Sequence, residues 1–490
     1  MKLNEKIILV MVVVLALFFV SVTALVITYI NPSEEYVAWE EKTIEKETIE
    51  KEKKYKAKVL RGEIRDRNGE VLAHSEYVKD KDGNITGQKR VYTYENGLFS
   101  HSVGYYRGEN IGEGKSAYLE KTYDKYLVML SEEEQEEAER RDNKDYYDGA
   151  SIDLTLDAGM TAKAQSLFEN RNIAKGAVVV MNPTTGEIYC MYSHPTFNPN
   201  PDVFGENDAA NRNNPNKPYT SRVTSKYTPG SVFKIVTALA AVENGEQYFE
   251  YEDTVVDYVG GVRIPNSYNT PKGWLGLKEA IQHSSNTYFA NLSQEIGNEN
   301  FLETAESLYI NKELKIDVTI ADASVGKDMS AGELASTAYG QGSAMMTPLH
   351  MAMVASTVAN DGVLKKPYFV DKVTLSTGEE VPLENRDEVV VTNGSLRYIV
   401  DGMVQCVNNG TGTAAQVRGL KIAGKTGTAE TTNDDSVPNH TWFIGFAPAD
   451  NPQIAICVMG EETGGYGGGK CGPIAAEMFK YCLANGFIDN

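Results

Sequence analysis

The sequence predicts an α+β fold for residues 150–490, set behind an apolar N-terminal segment and a smaller accessory domain. Strand-like stretches stand at both ends of the C-terminal region, mostly helical patterns lie between them, and residues 7–30 form one uncharged apolar run. A length of 490 residues leaves room for two or three folded units with a substantial core.

The apolar run IILVMVVVLALFFVSVTALVITYI holds 24 residues, which as a helix would cover about 36 Å, against about 30 Å of hydrocarbon. A cleaved signal peptide has a shorter apolar core and a clear small-x-small site, so the pattern favours a retained anchor. Lys2 and Lys6 precede the run and Glu34, Glu35, Glu40 and Glu41 follow it. This predicts a single pass with residues 1–6 in the cytoplasm and the bulk of the chain outside. Acidic residues outnumber basic ones 68 to 47, a formal charge of -21, which argues against a nucleic-acid groove and its clustered basic surface.

Residues 31–58 are dense in Glu and Lys, with helix-compatible pairs Glu47/Lys51 and Glu50/Lys54, and read as a solvated stalk. In RGEIRDRNGEVLA, residues 61–73, Asn68-Gly69 between β-compatible runs predicts a hairpin with a two-residue turn. From there to residue 149 the chain is polar, tyrosine-rich and weakly patterned, so 31–149 is taken as stalk plus accessory domain. Near residue 150 the character changes. SIDLTLDAGMTAKAQSLFE predicts a strand and then a helix, and GAVVVMNPTTGEIYCMYS predicts two strands around a turn. TWFIGFAPADNPQIAICVMG predicts two strands joined at Asp450-Asn451-Pro452, and GPIAAEMFKYCLANG a helix ending at Gly486.

The five cysteines, Cys190, Cys406, Cys457, Cys471 and Cys482, form no CxxC pair and no disulfide framework. A Cys471–Cys482 bridge is conceivable in an exported domain, but buried free thiols are the plainer expectation. The six histidines show no HExxH or other metal spacing, so neither metal nor cofactor is expected.

Chemistry concentrates in three segments. In YTPGSVFKIVTALAAVENG, Ser231 follows Pro229-Gly230 at the start of an apolar run that should be helical, and Lys234 lies one turn on, on the same face. A helix amino terminus suits a nucleophile. For Lys234 to act as a base its pKa must fall about three units from about 10.4, which burial and a second cation would supply. The spacing alone is a weak signal, since Ser324-Val325-Gly326-Lys327 repeats it in what reads as a surface loop. Downstream of LGLKEAIQ, Ser284-Ser285-Asn286 stands at the junction of two helical patterns. Ser284 there could relay a proton, and Asn286 could hold a substrate amide or the base lysine. Ser267-Tyr268-Asn269 repeats that pattern, but in turn-like surroundings beside Thr270-Pro271.

The third segment is GKTGTAE, residues 424–430, expected on an exposed strand. Lys425, Thr426 and Thr428 could bind a terminal carboxylate, while Gly427 would let a peptide approach and add as a further strand. The backbone N–H groups of Ser231 and Thr428 are candidates for an oxyanion hole.

SxxK, SxN and KTG in this order, 53 and then 141 residues apart, resemble the active-site set of penicillin-binding proteins and serine β-lactamases. Ser285 departs from the SDN form of class A β-lactamases. RGEIRDRNGEVLA, GAVVVMNPTTGEIYCM, GQGSAMMTPLHMAMVASTVANDG and the GTGTAA run at 410–415 resemble class B penicillin-binding proteins over most of residues 61–490. The resemblance implies a serine β-lactamase-like transpeptidase domain at 150–490 on an N-terminal pedestal within 31–149, with Arg61 and Asp66 structural.

It also implies a bacterial cell-membrane location and a peptidoglycan D,D-transpeptidase reaction, with stem peptides as substrates and β-lactams as acylating agents. Ser231 would be the nucleophile, Lys234 the acylation base, and Ser284 and Lys425 proton shuttles, with Asn286, Thr426 and Thr428 orienting the donor. A membrane glycosyltransferase of the SEDS type is the implied partner. The alternatives are a D,D-carboxypeptidase or β-lactamase of the same fold, and a non-catalytic β-lactam sensor or scaffold. GGYGGGKC at 464–471 imitates a phosphate loop, but Cys471 stands where a hydroxyl is required, so a strand-to-helix loop at the rim of the site is expected instead.

Overall fold

The computed structural model describes residues 59–489, apart from 111–112, 141–145, 384–385 and 431–436, together with a few positions between Met11 and Ser21. It divides into two compact units, one of Met1–Val59 with Glu132–Tyr147 and the other of Leu60–Ser131 with Asp148–Asn490. Among the described residues no helix is long and apolar enough to cross a membrane. Most of the span expected at 7–30, and all of the stalk at 31–58, lie outside the described residues. The first unit contains the acidic helix Glu132–Glu139.

In the second unit the elements that position the site run as follows. β1 (Ile64–Arg65), β2 (Val71–Lys79) and β3 (Ile85–Tyr92) precede β4 (Ser151–Leu154), α1 (Ala158–Asn170), β5 (Gly176–Met181) and β6 (Ile188–His194). Then come α2 (Lys234–Glu243), α3 (Leu277–His283), α4 (Asn286–Ile296) and α5 (Pro348–Ala359). The chain ends with β7 (Val370–Thr374), β8 (Glu380–Val381), α6 (Arg397–Asn409), β9 (Ala423–Ala429), β10 (His440–Ala447), β11 (Ile454–Gly460) and α7 (Gly472–Ala484).

The expected α+β arrangement is present. A five-stranded sheet in the order β6-β5-β11-β10-β9 is antiparallel throughout and joins the two expected strand pairs edge to edge. Every residue of β5, β10 and β11 is buried, so both sheet faces are covered, which explains their nearly continuous apolar sequences. α5 packs against β5, β10 and β11 and is itself buried along its whole length. α1 packs on β6 and α7 on β11.

A second sheet, in the order β8-β7-β4-β1-β2-β3, gives the weakly patterned N-terminal region its architecture. β1 pairs with β4 in parallel, so residues before 150 and after 150 share one sheet. The hairpin expected at Asn68-Gly69 is there, but its turn is wider than two residues. The Asp66 carboxylate accepts from the Asn68 and Glu70 amides at 2.8 and 2.9 Å, and these bonds widen the turn. Its other oxygen accepts from the Ala158 amide at 3.2 Å, tying the hairpin to the start of α1.

Arg61 is equally enclosed. Its Nε donates to Glu120 at 2.6 Å, and Arg90 Nε donates to the other Glu120 oxygen at 2.7 Å. Burial pushes the Glu120 carboxyl up, but the two guanidiniums outweigh it and hold it below the ordinary carboxylate range. Removing either arginine would leave one buried Glu120 oxygen without its guanidinium partner.

Candidate active site

Ser231 sits where a loop tightens into a helix. Gly230–Phe233 forms one 3-10 turn that runs directly into α2, leaving Ser231 and Lys234 one turn apart. Gly230 has φ +57, and a Cβ there would lie 2.5 Å from the Thr428 carbonyl oxygen; a Cβ on Gly340 would lie 1.9 Å from the Gly230 oxygen. Only glycine fits at either position. Trp442, fully buried, donates from Nε1 to Thr228 O at 3.1 Å and fixes the approach to this turn.

Ser284 closes α3 in the left-handed region, with φ 57 and ψ 43, and so reverses the chain. Ser285 then caps α4, its Oγ accepting from the Tyr288 amide at 3.1 Å. Lys425 lies on β9, the edge strand of the five-stranded sheet. A Cβ on Gly427 would lie 2.9 Å from Pro229 O, so the close approach that this glycine permits is that of the nucleophile turn.

These segments converge on one amine. Lys234 Nζ lies 2.9 Å from Ser231 Oγ, 2.7 Å from Ser284 O, 3.1 Å from Ser284 Oγ and 2.6 Å from Asn286 Oδ1. Lys425 Nζ donates to Ser284 Oγ at 2.9 Å and to Thr426 O at 2.8 Å. Asn286 Nδ2 donates to Pro265 O at 2.7 Å, so both ends of that amide are engaged and it holds the lysine.

Burial holds the Lys234 pKa well below the ordinary lysine value, and the neighbouring Lys425 charge lowers it further. Burial lowers Lys425 as well, to about 8. A neutral Lys234 has two N–H groups, and Ser284 O and Asn286 Oδ1 are acceptors that cannot donate. They claim both N–H groups. The nitrogen lone pair is then left for the proton of Ser231, which is the state a base needs.

Two expectations about β9 need correction. The segment lies on a strand, but all its residues except Thr428 are buried, because the nucleophile turn and α6 pack on it. Strand alternation also puts Thr426 and Thr428 on the face opposite Lys425, so the threonines and the lysine do not converge from one side. Thr428 Oγ1 accepts from the Gly467 amide at 3.2 Å. The glycine-rich segment at 464–471 therefore lies beside β9, with Cys471 buried and its Sγ bonded to Thr441.

All five cysteines are free and buried. Cys471 and Cys482 are eleven residues apart along helical backbone, about 16 Å, far beyond disulfide reach. Ser324 pairs through its backbone with Met345, and Lys327 is exposed. Ser267 is exposed in a loop.

Sequence reasoning missed Asp253, which holds the SxN turn from behind. Its buried carboxylate accepts from Ser285 Oγ at 2.8 Å, Thr287 Oγ1 at 3.1 Å, Tyr268 OH at 2.8 Å, Asn266 Nδ2 at 3.1 Å and the Lys272 amide at 2.9 Å. Asp253 in YEDT carries no signature, because its partners come from segments 13 to 34 residues away. Asp253→Ala should lower the unfolding free energy in urea by about 3 kcal/mol, since several buried donors lose their acceptor, and Asp253→Asn by about half as much. Equal stability of the alanine variant would remove Asp253 from this role.

The fold and the serine–lysine site together define a serine acyl-transfer enzyme. The penicillin binding protein transpeptidase domain family matches residues 176–480, and the chain belongs to that family, in its class B branch. It is 30% identical over 366 residues to the peptidoglycan D,D-transpeptidase PbpA of Mycobacterium tuberculosis, covering 68% of this chain and 73% of that protein. Among solved structures it is similar to the D,D-transpeptidase domain of a peptidoglycan glycosyltransferase from Eggerthella lenta. The TM-score is 0.72 at 32% identity, covering 87% of this chain and 99% of that one. The imipenem acyl-enzyme complex of penicillin-binding protein A from M. tuberculosis superposes with a TM-score of 0.76 at 25% identity, covering 87% of this chain and 99% of that one.

Proposed function

We infer that the chain is a peptidoglycan D,D-transpeptidase that works through an acyl-enzyme on Ser231. The observation that carries this is Lys234, buried beside Ser231 Oγ at 2.9 Å with its other contacts saturated by Ser284 and Asn286. Lys234 takes the Ser231 proton as Oγ attacks the carbonyl between two terminal D-alanines of a stem peptide. The C–N bond breaks, and the proton passes through Ser284 to the departing D-alanine amine. A neighbouring stem's amine then attacks the ester, gives up a proton by the reverse route, and releases Ser231. Lys425 holds Ser284 during both steps, and Thr426, Gly427 and Thr428 hold the donor along the free edge of β9. The amides of Ser231 and Thr428 supply the oxyanion hole.

The same reading divides the chain into a cytoplasmic tail at 1–6, a membrane anchor at 7–30, stalk and pedestal at 31–149 and the transpeptidase domain at 150–490. The domain would work outside the cell membrane beside a SEDS-type glycosyltransferase. β-Lactams enter the same chemistry by presenting a strained amide to Ser231. Relatives named as D,D-transpeptidases and a related acyl-enzyme favour this over the hydrolytic and sensor alternatives.

The test is turnover on a stem-peptide or thioester donor with an amine acceptor. Release of D-alanine or thiol should be accompanied by a crosslinked product detected by mass spectrometry. Release with only hydrolysed donor would favour a carboxypeptidase, and no release from wild type would favour a scaffold.

A further inference from the structure

The turn after α6 carries GTGTAA, residues 410–415, a run to which the acyl-transfer steps give no role. Within it, Thr411 Oγ1 lies 2.5 Å from Thr426 Oγ1, and Cys406 Sγ lies 3.4 Å from Thr411 Oγ1. Cys406 is fully buried, Thr426 is nearly so, and Thr411 is exposed, so three polar groups form a continuous file beside β9. The turn that holds them is clamped from both sides. The Gly412 amide donates to Cys406 O at 2.9 Å, and a Cβ on Gly468 would lie 2.2 Å from Thr411 O.

The polarity of this file follows from its end. A hydroxyl donates one hydrogen bond and accepts others, a thiol donates weakly, and a carboxylate only accepts. A carboxylate at Thr426 therefore takes the Thr426 proton. Thr426 must then accept from Thr411, and Thr411 is free to accept from Cys406. Resting on the transpeptidase reading, we propose that Thr411 is a positioning residue for the donor's terminal carboxylate, its hydroxyl turning the Thr426 proton outward with Cys406 at the head of the relay. Without it, Thr426 Oγ1 loses the donor that occupies its oxygen and orients its proton, and the site loses part of its preference for an anionic end group.

The test compares second-order acylation constants for benzylpenicillin and its methyl ester. The ester has the same reactive ring but lacks the carboxylate. Thr411→Val keeps the shape of threonine without the hydroxyl. It should lower the constant for the acid about tenfold and that for the ester less than about twofold, and Thr411→Ser should restore the acid to within about threefold. Thr411→Ala repeats the comparison if the valine disturbs the turn. An equal fall for acid and ester, or no fall for either, overturns the proposal while leaving the acyl-enzyme intact. Wild type inert to both compounds overturns the transpeptidase reading and the relay with it.

Discussion

Fluorescent penicillin is expected to label the wild-type protein and Ser324→Ala alike, and to leave Ser231→Ala unlabelled on a denaturing gel. Both serines stand three residues before a lysine, so only their surroundings separate them. Ser231 opens a helix whose lysine is fully buried and bonded to its hydroxyl at 2.9 Å. Ser324 lies in a bridge with Met345, and Lys327 is exposed to solvent. The loss in Ser231→Ala should be complete because no covalent bond can form. Residual labelling that survives denaturation would place the nucleophile elsewhere.

The second large effect is expected at the base. Lys234→Met should slow acylation by benzylpenicillin about a hundredfold to ten-thousandfold, the usual range for removing a positioned general base. The pH profile carries the sign of each lysine. Lys234 becomes a base only above its lowered pKa, so the rate should climb with pH on that limb. Lys425 keeps its charge below about 8 and loses it above, so the rate should decline on the alkaline side as the cation disappears. Lys425→Met should lower the maximum and erase the alkaline decline. Stopped-flow measurement of acylation across this range checks both limbs, and a wild-type profile that keeps rising well past the Lys425 pKa would separate Lys425 from the reaction.

Much of the site was legible because its parts are local. Ser231 and Lys234 share one helical turn, Ser284 and Asn286 share one helix junction, and Lys425 to Thr428 share one strand. The strand pairs at 176–194 and 440–460 were legible because apolar runs with a turn between them have few other arrangements. The burial of β9 was not, because Lys-Thr-Gly-Thr is a polar sequence and its cover comes from segments near residues 230 and 400. Asp253 escaped for the same reason. The N-terminal sheet was hidden because β1 is two residues long and finds its parallel partner in β4, where no periodicity develops.

Ser284 closes α3 in a conformation that helix ends normally give to glycine. A side chain there costs about 1 to 2 kcal/mol, and a sequence chosen only for its folding would write glycine at 284. The chain keeps an uncomfortable residue at the point where Lys234 and Lys425 both reach for a hydroxyl. At that position a hydroxyl stands where the fold alone would favour glycine, and the cost is visible in one backbone angle.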